Sequence, residues 1–181
     1  MAAPSSVKVW DLWLRLFHWG LVAAFATAWF SADEWSSLHH WAGYTVAGLL
    51  AWRCLWGIVG PPSARFTSFV RSPAAAVAHL RDMLSGKEKR HLGHNPAGAA
   101  MIIALLLSLA VLACSGWLST TDRFWGVDWV QEVHELAGDL VLVLVGLHLV
   151  GVIASSWLTR ENLVRAMITG RKRAASGDDK A

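Results

Sequence analysis

The stretch VHELAGDLVLVLVGLHL, residues 133–149, decides how the rest of the chain is read. It is apolar enough to lie inside a bilayer, yet it carries His134 near one end and His148 near the other. The two are fourteen residues apart, so at about 100° and 1.5 Å per helical residue they point to nearly the same face, roughly 21 Å apart. Two imidazoles on one face, at two depths of one bilayer, point to two cofactor sites.

The whole chain fits that setting. Its 181 residues are 55% hydrophobic with a mean hydropathy of +0.40, which makes a polytopic protein bathed in membrane lipid the default and leaves nucleic acid out as a partner. The two cysteines, Cys54 and Cys114, each lie in an apolar run and do not form a disulfide framework. No C-x-x-C-H is present, which excludes covalent haem attachment of the c type. Ala26-Thr27-Ala28 resembles a signal-peptidase site, but the apolar run continues through Trp29 and Phe30 to the length of a full span and reads as membrane helix.

Four spans are predicted, at about 12–31, 38–60, 97–118 and 133–158, giving an all-α transmembrane four-helix bundle. Residues 1–173 then form one membrane domain and 174–181 a polar tail. The long connection 61–95 holds Arg65, Arg71, Arg81, Lys87, Lys89 and Arg90, and the stretch TRENLVRAMITGRKR (159–173) is also basic. Both belong in the cytoplasm, with both termini, if Lys and Arg set orientation. The outer connection 119–130 has Arg123 as its only basic residue and tryptophans suited to an interfacial belt. Ser72-Pro73 and Asn95-Pro96 each read as an N-cap followed by proline at the first helical position. The first of these opens a short surface helix closed by Gly86, with His79 as a surface residue. His94 is read as a capping residue or a cofactor contact, Arg15 as snorkelling to headgroups, and 159–173 as a short helix on the cytoplasmic face. The third span has no Asp, Glu, Lys, Arg or His and reads as scaffold.

Orientation fixes depth, and depth assigns partners. His18 and His148 fall in the cytoplasmic half, His39 and His134 in the outer half. His39 shares a helix face with Gly43, where a planar ligand can approach the backbone, and so is favoured as ligand over the interfacial His40. Mutual hydrogen bonding, proton relay and metal ligation are the three readings of such pairs. Two matched levels favour ligation, and the lack of carboxylate or thiolate partners there argues against zinc. Haem needs only two axial ligands. Arg53, fourteen residues beyond His39, lies near the His18–His148 level, where it faces a haem propionate or reaches the cytoplasmic headgroups.

These residues resemble the four-helix, di-haem b-type cytochromes that include bacterial cytochrome b561 and the cytochrome b subunits of nickel-iron hydrogenases. The resemblance covers roughly residues 8–173 and rests on His18-Trp19, on His39-x-x-x-Gly43 with Arg53, and on His134 and His148. It implies two non-covalent haem b groups, with iron held by His18 and His148 on the cytoplasmic side and by His39 and His134 on the outer side. Arg53 matches a position near a propionate. It further implies a multi-pass protein of the bacterial inner membrane that exchanges electrons between a quinone pool and a separate periplasmic or membrane-associated redox protein, with quinone oxidoreductase activity and a homodimer left open. Iron with two histidine ligands has no open coordination position, which leaves one-electron transfer. The alternatives are a membrane anchor for a larger dehydrogenase or hydrogenase, a metal or proton transporter using the same histidines, and an inert structural anchor.

Overall fold

The computed structural model describes residues 6–87 and 90–175. Most of the polar tail expected at 174–181 therefore lies outside the described residues. In chain order the elements are β1 (Ser6–Lys8), α1 (Leu12–Ser31), α2 (Ser36–Val59), α3 (Phe66–Phe69), α4 (Pro73–Leu84), α5 (Pro96–Ser119), α6 (Asp128–Thr159), α7 (Leu163–Thr169) and β2 (Arg171–Arg173). Three helices among the described residues, α2, α5 and α6, are long and apolar enough to cross a membrane. At 20 residues α1 also has the length of a span.

Helix starts follow local chemistry. Asp11 Oδ1 accepts from the Leu14 amide at 3.0 Å, supplying an acceptor to one of the donors that a helix start leaves unpaired. Ser72 accepts from the Ala75 amide ahead of Pro73, and Gly86 lies beyond the end of α4 with φ +67°. Asn95 Oδ1 accepts from the Gly98 amide at 2.6 Å with Pro96 first in α5, as its sequence implies. Helix α6 begins at Asp128, earlier than the apolar run itself, because DWVQE is helical although polar.

The described residues divide between two compact units, one within Met1–Arg15, Trp56–Ile103 and Gly146–Ala181, the other within Leu16–Leu55 and Ala104–Val145. The first unit adds one small strand pair to the helices: β1 and β2 pair antiparallel with Ser6 opposite Arg173 and Lys8 opposite Arg171. Gly170, at φ +77°, makes the turn from α7 into β2, and its carbonyl accepts from the amides of Val9 and Trp10. A Cβ at that position would lie 2.6 Å from the Trp10 carbonyl oxygen, so glycine is required twice over. Arg15 donates to the Ile168 carbonyl at 2.5 Å, capping α7 rather than reaching lipid headgroups. His79, expected on the surface, is 6% exposed and packs edge-on against His91 at 5.3 Å.

Basic residues of this unit are partly internal. Arg90, 7% exposed, donates from Nε and Nη2 to Glu161 Oε2 at 2.9 and 2.5 Å, and from Nη2 to the Arg173 carbonyl. Lys172, 5% exposed, donates to the carbonyls of His91 and Gly93 at 3.1 and 3.3 Å and lies 5.3 Å from the centre of the Trp10 ring. Burial pushes its ammonium down from 10.5 to about 8, with Glu161 pulling up and Arg90 down. A depressed folded pKa means that between about pH 8 and 10.5 the unfolded chain binds more protons, so stability rises with pH across that window. Relative to Lys172→Met, the wild-type protein is expected to gain up to about 3 kcal/mol across it. Thermal unfolding in detergent at stepped pH checks this, and parallel curves for the two proteins would refute it.

The second unit is built around Ala24, Val46, Leu50, Leu109 and Val141, with Leu21, Phe25, Leu49, Leu106 and Leu112 packed against them. Each of α1, α2, α5 and α6 contributes at least one of these five buried residues.

Candidate functional site

Within the second unit, His39 and His134 come together with ring centroids 6.0 Å apart and planes at 82°. Each ring is tethered from behind by a helix backbone. His39 Nδ1 donates to the Ala28 carbonyl of α1 at 2.8 Å, and His134 Nδ1 donates to the Leu112 carbonyl of α5 at 3.0 Å. A helical carbonyl has a second lone pair beyond the one used by its i+4 amide, which is how a helix interior accepts such a bond. A carbonyl can only accept. The proton of each neutral ring is therefore on Nδ1, and each Nε2 presents a lone pair.

That tautomer separates the possible chemistries. Two neutral rings whose Nε2 atoms are both acceptors cannot hydrogen-bond to each other through those atoms. They can share a metal. A first-row metal sits about 2.0–2.1 Å from an imidazole nitrogen, and the ring centroid lies about 1.1 Å behind that nitrogen, so rings ligating one ion from opposite sides have centroids about 6.3 Å apart. The observed 6.0 Å agrees with that geometry. Among the described residues no group of three or more His, Cys, Asp or Glu side chains could hold a metal ion. A two-ligand centre whose remaining positions come from a macrocycle fits this donor set; a protein-ligated zinc does not.

The surroundings fit a macrocycle as well. A Cβ added at Gly43, one turn along α2 from His39, would meet no atom within 4 Å, leaving room for a planar group against the backbone. On the opposite side His134 presses against α5, where a Cβ on Gly116 would lie 2.7 Å from the ring carbon Cε1. Ser115 Oγ lies 3.3 Å from His134 Nδ1 and is placed to accept from it, since its own hydroxyl proton goes to the carbonyl of Val111 or Leu112. His40 is exposed, whereas His39 is half-buried.

The other predicted residues are placed as follows. His18, half-buried in the same unit, meets the Trp19 ring edge-on at 5.0 Å. Arg53, also in that unit, is 2% exposed, so it does not extend to the headgroups. His148 is half-buried and belongs to the first unit, and its pairing with His18 rests on spacing and depth. The ring of His94 lies between those of Trp10 and Phe69, with centroids at 4.5 and 4.4 Å. Sequence reasoning overlooked the backing of both imidazole rings: the Ala28 and Leu112 carbonyls, Ser115 and Gly116. Only the Ser-Gly pair, two small residues interrupting a uniform apolar run, gave a readable signal.

No curated protein and no solved structure matches the chain. A family model described as prokaryotic cytochrome b561 matches residues 9–170, a span that includes His18, His39, His134, His148 and Arg53. By that match the chain belongs to the prokaryotic cytochrome b561 family, the helical, membrane-embedded cytochromes that bind b-type haem and serve electron transport.

Proposed function

We propose that the chain holds two haem b groups, ligated by His39 with His134 and by His18 with His148, and passes single electrons between a quinone pool and a separate redox protein. The observation that carries this reading is the His39–His134 pair, whose ring centroids lie 6.0 Å apart and whose Nδ1 protons are both spent on backbone carbonyls, so that each Nε2 keeps a lone pair. When bound, haem supplies a one-electron couple at an iron without an open coordination position. The protein's own residues hold the imidazoles at the required separation and surround them with apolar side chains that keep water away. Arg53 stands as the partner of a propionate, a buried guanidinium being best satisfied by an anion.

A four-span bundle in the bacterial inner membrane, formed by residues 1–173 with both ends cytoplasmic, completes the proposal. The pairing of Ser6–Lys8 with Arg171–Arg173 supports it. Segments that share a sheet lie on one side of a membrane, so an even number of crossings separates them. With α2, α5 and α6 crossing, α1 must cross too. The basic residues of the long connection put the shared side in the cytoplasm.

Two haems per chain are expected in a pyridine haemochrome assay of the purified protein, together with a Soret band. His148→Ala is expected to lower the count to one while the His39–His134 site stays spectrally visible. A preparation without haem after haem supplementation would sink the reading, and two haems in His148→Ala would sink the pairing.

A further inference from the structure

We infer that Ser115 and Gly116 of α5 are positioning residues for His134, together setting the plane of its ring and the basicity of its Nε2. The inference rests on the reading of His134 as a haem ligand and adds to it what controls that ligand. Gly116 admits the ring: an alanine methyl at 2.7 Å from Cε1 would be well inside the roughly 3.5–4.0 Å at which carbon atoms rest against each other. Ser115 holds it, as the second acceptor beside Nδ1, 3.3 Å away. With the Leu112 carbonyl at 3.0 Å, two oxygens flank one N–H, which keeps the ring nearly perpendicular to His39 at 82°.

The chemistry follows from the direction of donation. A ring that gives its Nδ1 proton to acceptors becomes a more basic ligand through Nε2, and a more basic ligand favours ferric over ferrous iron. Removing one acceptor should therefore raise the midpoint potential of this haem alone. Because the Leu112 carbonyl remains, the expected change is modest, about threefold in the oxidised-to-reduced equilibrium, or about 28 mV at 59 mV per tenfold.

The test is a redox titration and a ferric low-temperature electron paramagnetic resonance spectrum of full-length haem-loaded protein. Ser115→Ala is expected to keep both haems and raise one of two potentials, with Ser115→Thr, which retains a hydroxyl, returning it towards wild type. Gly116→Ala is expected to change the anisotropy of one low-spin ferric signal, or to lose that haem alone. Loss of the same haem in Ser115→Ala, restored by Ser115→Thr, would support the assignment equally. An unchanged or lowered potential in Ser115→Ala would overturn it, as would loss of both haems unrelieved by threonine. His134→Ala separates the two layers: if it retains both haems, the ligation reading fails. If it loses one while Ser115→Ala and Gly116→Ala leave potential and spectrum unaltered, only this inference fails.

Discussion

On the proposed ligation, His134→Ala is expected to leave one haem per chain rather than two. His39 alone would then face the iron, and the alanine would leave a gap bounded by Gly116 and the Leu112 carbonyl. Removal of a partner behind a metal ligand typically costs 10–100-fold in affinity, and loss of the ligand itself exceeds that. Haem content should fall by half, read from the pyridine haemochrome against protein concentration. The α-helical circular dichroism should stay near wild type, because the core of Ala24, Val46, Leu50, Leu109 and Val141 does not include the ring. His39→Ala should give the same count, and the double variant should lose nothing further, since both residues serve one centre. Two haems in either single variant would show that this pair does not hold iron.

The second large effect is structural and lies on the other unit. Glu161→Gln is expected to destabilise the protein by about 3–5 kcal/mol, because it leaves a buried guanidinium without its counter-charge. Arg90 and Glu161 side chains are 6% and 11% exposed, and both Arg90 bonds converge on one carboxylate oxygen while the other lies 3.3 Å from the Arg173 amide. Carbonyls of Arg173 and Ala174 still accept from Arg90 in the variant, but dipoles replace a full charge only in part. The thermal midpoint in detergent should drop by on the order of 10 °C. Adding Arg90→Met should restore much of it, since an apolar replacement of both partners is often close to neutral. A midpoint unchanged in Glu161→Gln would show that the pair contributes nothing net.

The fold was most readable where its causes are local. Asn95-Pro96 and Ser72-Pro73 mark helix starts because the capping oxygen and the amide it serves are three residues apart. The long apolar runs give α2, α5 and α6 because a bilayer selects for length and hydropathy. The start of α6 was less readable, since the polar residues 128–132 extend the helix beyond the apolar run. Arg15 and the pairing of β1 with β2 were not readable, because each depends on a segment far away in the chain. Arg15 meets Ile168 at 153 residues' separation, and no periodicity within twenty residues of either could report that. The site divides in the same manner. Histidines are visible as letters, and spacing placed His134 opposite a partner. A backbone carbonyl is present at every residue, so nothing in the sequence singles out Ala28 or Leu112.

The clasp of Ser6–Lys8 on Arg171–Arg173 also has a meaning in time. The first strand leaves the ribosome some 165 residues ahead of its partner, which at about 5–20 residues per second is a wait of roughly 8–33 s. All four long helices are synthesised in that interval. Until β2 arrives, β1 is an open strand edge, available to any neighbouring chain. Closure of the two-stranded sheet is thus a biosynthetic milestone: it occurs only once everything between the strands has been made.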